Sequence, residues 1–390
     1  MSEEVDQAGP RRRLWELAAL FGRLGVTAFG GPAAHVALFH DEFVRRRGWL
    51  DERTFLDVVG AVNLLPGPNS TEVAMHIGHE RAGWPGLLVA GTAFIAPASV
   101  IVLGLAWAYT EFGQTPQAEA LLYGIGPVII AIVAQALLAI GRTAVTGGRS
   151  GPRWLLGAVA LAAFGLYLAG VNELLLLAGG ALTALVAARL DRGGPRLAAF
   201  AAWLPGLAQA VAATPAVDLV RLGAVFLKVG ALLYGSGYVL VAFLRADLVE
   251  RLGWLTETQL LDAVAIGQVT PGPLFSTATF IGYLLAGLPG AVVATVAIFL
   301  PAFAFVGLLG RLLPRARTSP MASALLDGVN AAAVGLMAGV ALQLARVAVV
   351  DPLTVALAAA AALVLWRTRL NSAWLIAAGA AVGLAAELLG

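Results

Sequence analysis

Residues 65–71 read Leu-Pro-Gly-Pro-Asn-Ser-Thr, and residues 270–277 read Thr-Pro-Gly-Pro-Leu-Phe-Ser-Thr. Each Pro-Gly-Pro corner, Pro66-Gly67-Pro68 and Pro271-Gly272-Pro273, sits inside an apolar segment and cannot be continuous helix. The second proline has no N–H to donate and crowds the preceding turn, while glycine reaches dihedrals closed to other residues. In a bilayer such non-helical backbone is tolerated only where protein buries it or a wet cavity solvates it. Two equivalent breaks in two halves of one chain are the mark of a transport site.

Working outward from the corners, the two halves align on each other over most of the chain. Phe21, Arg23, Gly25, Phe29 and Gly30 match Phe226, Lys228, Gly230, Tyr234 and Gly235 at the offset that relates the corners. Glu42, Val44, Arg46, Trp49, Leu50 and Asp57 recur as Asp247, Val249, Arg251, Trp254, Leu255 and Asp262. After a one-residue deletion, Gly78, Gly83, Gly86, Pro97, Gly124 and Arg142 pair with Gly282, Gly287, Gly290, Pro301, Gly328 and Arg346. A duplication explains so many matches; chance does not.

The composition is that of a membrane protein. Hydrophobic residues make up 59% of the chain, mean hydropathy is +0.86, and only 12% is charged, about half the charge of a soluble domain. Residues 1–13 are polar and end in Arg11-Arg12-Arg13, so no cleavable secretory signal is expected. The absence of cysteine excludes disulfides and thiolate metal sites, and a net charge of +2 without long basic runs argues against nucleic acid as a partner.

Segments 14–29, 33–44, 54–65 and 69–80 are each shorter than the roughly 20 residues of a spanning helix. They are expected in pairs, as two re-entrant hairpins folded about Gly30-Gly31-Pro32 and the first corner, with their tips near the midplane. Apolar stretches at 84–110, 119–141, 154–171 and 173–189 follow, repeated at 291–310, 322–345, 353–366 and 372–389. The expected fold is therefore an all-α polytopic membrane protein. It has two inverted-topology repeats, 14–196 and 218–390, joined by a central transmembrane helix at 197–217.

Arginine placement supports the inversion. With both first-half hairpins opening to the cytoplasm, Arg45 to Arg47, Arg53, Arg81, Arg142, Arg149, Arg153, Arg189, Arg192 and Arg196 lie inside with the N-terminal arginines. A crossing at 197–217 brings Arg311, Arg315, Arg317, Arg367 and Arg369 inside too, leaving Arg221, Arg245, Arg251 and Arg346 outside. If every apolar piece spanned instead, the Arg45 to Arg47 cluster would be outside.

Helices starting after Pro32, Pro68, Gly237 and Pro273 point unpaired N–H groups and positive dipole ends at the midplane, which suits a tetrahedral oxyanion. Asn69, Ser70, Thr71, Ser276 and Thr277 add side-chain donors, and the matched Asn63 and Gln268 add polar lining. The bland reading is that Gly and Ser allow close helix packing and the corners are tight turns. Arg23 and Lys228, the only lysine, occupy matched positions at depth, as do Asp57 and Asp262. The cations either attract the substrate or neutralise those carboxylates, and a pair that opens on anion arrival would do both.

All four histidines, His35, His40, His76 and His79, fall in the first half. With Glu72 and Glu80, His76 and His79 are loosely metal-like; Glu72 or His76 could couple protons, against the plainer reading of a solvated hairpin base. No cofactor is expected. No zinc-protease helix or Gly-x-Ser-x-Gly elbow is present, so an intramembrane metalloenzyme is the weakest alternative. A cation carrier would show carboxylates at both breaks.

These residues resemble the chromate transporter family. Phe29-Gly30-Gly31-Pro32-Ala33-Ala34-His35, Trp49-Leu50 after an arginine cluster, and Leu65-Pro66-Gly67-Pro68 are similar to that family's signature, and the two-half layout to its long, fused form. The resemblance implies a multi-pass carrier in the cytoplasmic membrane that exports chromate and confers chromate resistance. Sulfate, close in size and shape, is the alternative substrate. A homodimer is compatible with this layout. Tyr234-Gly235-Ser236-Gly237-Tyr238 departs from the first-half pattern, so the halves need not contribute equally.

In a cysteine-free chain single cysteines report topology directly. Cysteines at positions 46 and 81 should be labelled from the cytoplasm and one at 251 from the opposite face; labelling of 46 and 251 from the same side of intact cells would refute the inversion.

Overall fold

The duplicated sequence folds into a duplicated order of helices. The computed structural model describes residues 9–29, 31–62, 65–146, 153–190, 217–234, 237–309, 320–368 and 370–389. The first half contributes α1 (Pro10–Thr27), α2 (Gly31–Phe39), α3 (Glu52–Val62), α4 (Asn69–Phe112), α5 (Pro116–Thr146), α6 (Arg153–Leu168) and α7 (Glu173–Leu190). The second contributes α8 (Leu219–Leu232), α9 (Leu240–Leu244), α10 (Glu257–Val269), α11 (Thr277–Leu309), α12 (Pro320–Ala348), α13 (Pro352–Arg367) and α14 (Ser372–Leu389). No strand occurs among the described residues, and six helices there are long and apolar enough to cross a membrane. The expected crossing at 197–217 lies, apart from Val217, outside the described residues.

Local chemistry repeats with the sequence. α2 runs into a π-helix at His40–Arg46, and α9 into another at Arg245–Arg251. Each wide turn closes by the same bond, Arg47 N–H to the Glu42 carbonyl at 3.1 Å and Leu252 N–H to Asp247 at 3.0 Å. The chain then reverses through Gly48 and Gly253 at φ near +60°, and the N–H groups of Trp49 and Trp254 return to the carbonyls of Phe43 and Leu248.

The helices after the corners are hairpins. α4 breaks at Ala82 and Gly83, and α11 at Ala286 and Gly287, with φ +60° at both glycines, a conformation that strains side chains bearing a Cβ. Pro85 and Pro289 fall in the first turn of the second limbs, where a missing N–H costs nothing. Gly78 lies directly on the Gly86 backbone and Gly282 on Gly290, so the limbs run antiparallel at a separation only glycine permits. The expected short segment 69–80 and the long one beginning at 84 are these two limbs. α6 and α13, at 16 residues each, are shorter than the roughly 20 that span a bilayer untilted.

The halves interlock. α1 packs on α4 as α8 does on α11, and α4 packs on α11. α5 takes its neighbours from the second half, α13 and α14, while α12 takes α6 and α7 from the first. Glycines make these crossings close: Gly124 meets Gly379 and Gly383, and Gly328 meets Gly180. Polar bonds cross the same seams, Tyr123 Oη to Asp351 at 2.6 Å and Tyr167 Oη to Gln343 at 3.1 Å. In the first half Phe21 stacks on Phe43 with centroids 5.1 Å apart, and Phe39 meets Phe94 edge-on, fixing α1 and α2 against α4.

Adding bulk at these crossings should open them. Gly78→Leu and Gly282→Leu should each destabilise by about 3 kcal/mol or fail to accumulate, since the blocking atoms are backbone. Gly104→Leu, which points into open space, should be neutral. Detergent-solubilised melting temperatures decide it, and equal melting of Gly78→Leu and Gly104→Leu would contradict the close packing.

Candidate functional site

At each corner the glycine N–H is spent on the other half. Gly67 donates to the Leu233 carbonyl at 2.9 Å and Gly272 to the Ala28 carbonyl at 2.8 Å. Leu233 and Ala28 are matched positions, each one residue beyond the end of its half's first helix, where the chain turns extended and its carbonyl leaves the helical ladder. Both glycines have positive φ, +142° and +96°. A methyl on Gly272 would meet Ala98 Cβ at 2.8 Å, and one on Gly67 would meet Glu72 Oε1 at 2.5 Å and Ala302 Cβ at 3.6 Å. These two amides, expected to face an anion, are committed to protein carbonyls. The donors remaining belong to the helix starts.

α4 starts directly at Asn69, with Pro68 as a cap residue that supplies no side-chain bond. Ser70, Thr71 and Glu72 in this first turn are buried. The second corner opens differently, through a 3-10 turn at Leu274–Ser276 in which Ser276 N–H returns to the Pro273 carbonyl and Thr277 Oγ1 donates to Leu274 at 2.8 Å. The start expected after Gly237 is likewise a three-residue 3-10 turn followed by the five residues of α9. Four equivalent helix ends are thus not realised; the start at Asn69 differs from its counterpart.

Around the corners lies a set of buried polar atoms that find no hydrogen-bond partner among the described residues. It comprises Thr71 Oγ1, both Glu72 carboxyl oxygens, both His76 ring nitrogens, Tyr234 Oη, Gln268 Nε2 and Ser276 Oγ. Unpaired polar groups at this depth are costly and call for water, a ligand or an alternative state. Glu72 is fully buried and His76 nearly so, which overturns the expectation of a solvated hairpin base. No cluster of three or more His, Asp or Glu side chains suited to a metal occurs among the described residues. His35, also buried, has its Nε2 3.0 Å from the Ala28 carbonyl. Gly30, Asn63, Gly235 and Ser236, four expected site residues, lie outside the described residues, and of Pro32 only the backbone is described. Phe29 is half-exposed beside the first break.

The matched cations are paired, but not with the expected carboxylates. Arg23 reaches Glu42 Oε2 at 3.0 Å and Lys228 Nζ donates to Asp247 Oδ1 at 2.6 Å, each bridging a half's first helix to its π-helix. Asp262 instead accepts from Tyr109 Oη at 2.8 Å, and Asp57 lies on an exposed face. The spacing from cation to carboxylate is the same in both halves, so Glu42 and Asp247 were visible as matched acids; what the sequence lacks is the π turn that swings them toward α1 and α8. Arg23 is also far from buried, its side chain 55% exposed against 24% for Lys228. The hydrogen bond from Arg47 holds the Glu42 carboxyl below its ordinary value against the opposing effect of burial, with Arg23 and Arg46 adding to it. That stabilisation is present above the unfolded carboxylate pKa and is lost as pH falls through the lowered one.

Buried, unpartnered polar groups at interrupted helices between two interlocked halves define a polytopic membrane transporter. The chromate transporter profile matches residues 15–185 and 220–384, one copy for each half, and the chain belongs to the chromate transporter family. A chromate transport protein of Cupriavidus metallidurans is 34% identical over 97% of this chain and 94% of its own length. One from Pseudomonas aeruginosa is 33% identical over 94% and 91%. A probable chromate transport protein of Synechococcus elongatus is 34% identical over 88% of each. The chain matches no solved structure.

The pairing generates a rescue pattern. Lys228→Gln leaves Asp247, 1% exposed, with only Arg251, 2.8 Å away, as its cation and should destabilise by about 1–2 kcal/mol. Adding Asp247→Asn should recover most of that loss, whereas adding Asp262→Asn should recover none. Thermal unfolding of the three variants checks it, and rescue by Asp262→Asn would refute the assigned pair.

Proposed function

We propose that this protein carries chromate out of the cell across the cytoplasmic membrane, holding the tetrahedral dianion at the helix starts beside the Pro-Gly-Pro corners. One observation carries the reading of the site. Thr71 and Ser276, matched positions in the two halves, present hydroxyls that are buried and find no partner among the described residues. Hydroxyl donors beside the uncapped start of α4 supply what an oxyanion needs once its hydration shell is removed, namely short hydrogen bonds and the positive end of a helix dipole. The substrate follows from kinship: relatives covering nearly the whole chain are named chromate transport proteins. The same kinship favours a carrier over an enzyme.

Arg23 and Lys228 then act less as ligands than as clamps, since each is engaged by a carboxylate of its own half. The reciprocal contacts between halves support the inverted arrangement, in which rocking one hairpin pair against the other exposes the site to alternate sides.

Proteoliposomes test this. Wild type should accumulate labelled chromate, with unlabelled sulfate as a weaker competitor. Thr71→Val and Ser276→Ala should each raise the half-saturating chromate concentration about tenfold, the loss of one hydrogen bond to a charged ligand. Pro68→Ala should lower flux more than melting temperature, because helix growing through the corner withdraws its N–H groups. Normal transport by all three variants would reduce the corners to packing turns.

A further inference from the structure

The two halves differ chemically at one corner. Glu72 stands where the second half has Thr277, and Tyr234 where the first half has Phe29. Thr277 closes its own helix start by donating to the Leu274 carbonyl, whereas Glu72 is fully buried and neither carboxyl oxygen has a hydrogen-bond partner among the described residues. The carboxyl lies against the first corner, because a methyl built on Gly67 would fall 2.5 Å from Oε1 and 3.6 Å from Ala302 Cβ of the second half. Tyr234 adjoins the carbonyl that accepts the Gly67 N–H, and its hydroxyl too finds no partner among the described residues. Both departures from the repeat meet where the oxyanion is placed.

A carboxylate and a dianion repel in a dry site, but a carboxylic acid donates a hydrogen bond to the same oxygen. Binding therefore uses the acid form that burial without a partner favours: Glu72 carboxylic acid and the dianion combine into a complex in which the acid's proton lies between carboxyl and oxyanion, with no covalent bond to the protein and no electron transferred. Chromate shares such a proton readily, because hydrogen chromate ionises near neutrality. Hydrogen sulfate is a far stronger acid, and sulfate keeps a proton only in strongly acidic solution. Size, shape and charge leave the two dianions nearly alike; basicity separates them.

We propose that Glu72 is a specificity-determining residue that shares one proton with the bound oxyanion and thereby selects chromate over sulfate. The inference rests on the oxyanion site proposed above. The charged and titratable groups on neighbouring elements are few. His76 and His79 follow on the same helix, His35 on α2 faces the Ala28 carbonyl, Arg23 on α1 is held by Glu42, Asp57 on α3 is exposed, and Asp262 on α10 is bonded to Tyr109. From α11 comes Tyr283, and from the second-half break Tyr234.

Calorimetric titration of the purified full-length protein with chromate and with sulfate at about pH 8 reads the preference directly. Wild type should bind chromate at least about tenfold more tightly than sulfate. Glu72→Gln should bring the two anions within about threefold of each other, while Glu72→Asp, which keeps a carboxylic acid, should keep the preference. Equal affinities in wild type overturn the proposal whether or not any variant folds, and so does an unchanged preference in Glu72→Gln. If Thr71→Val weakens chromate binding while wild type holds the two anions equally, the oxyanion site stands and the role of Glu72 falls. If wild type binds neither anion, the site reading fails and takes the inference with it.

Discussion

Two hydrogen bonds exchanged between the halves, Gly67 N–H to Leu233 and Gly272 N–H to Ala28, fix the centre of this protein. Each joins a backbone donor freed by a Pro-Gly-Pro corner to a backbone acceptor freed by the end of the other half's first helix. Neither group could be left unpaired in a membrane interior, where an unsatisfied amide or carbonyl costs several kcal/mol. The break in each half is therefore satisfied by the matching break in the other. The alanines facing the corner glycines, Ala98 and Ala302, belong to the same constraint, since a larger side chain would part the strands of backbone that exchange these bonds.

The rest of the architecture keeps these two bonds in register. Antiparallel limbs pinned at Gly78 on Gly86 and Gly282 on Gly290 bring the corner and the long helix of each half together. α5 packs on α13 and α14, and α12 on α6 and α7, so helices of one half are held by helices of the other. The Arg23–Glu42 and Lys228–Asp247 pairs tie each first helix to the π-helix that follows it. Their carboxylates are nearly buried while the cations remain partly open, so an acid left without its cation would be the more damaging loss.

Within this near-symmetric frame the unpaired polar side chains are unevenly shared between the halves. The corners satisfy their own glycine amides, leaving hydroxyls, a carboxyl and a phenol as the groups with bonding capacity to spare. A frame that pairs its backbone so completely and leaves side chains unpaired beside it has separated the task of holding shape from that of meeting a solute.

The sequence by itself determined the helical, membrane-embedded class, the duplication, the breaks at the two Pro-Gly-Pro corners and the one between residues 80 and 84, because proline, glycine and hydrophobic length act locally. The matched Gly83 and Gly287 were legible for the same reason: only a residue without a Cβ turns the chain at φ near +60° without strain. Partnerships were decided by the tertiary structure. Asp57 and Asp262 looked as good as Glu42 and Asp247 for pairing with Arg23 and Lys228, since all are matched acids, and only the π turns choose between them. The bond from Gly67 N–H to the Leu233 carbonyl joins residues far apart in the chain across the seam between halves. A one-dimensional pattern records which residues recur; which of them touch depends on how two backbones exchange hydrogen bonds in space.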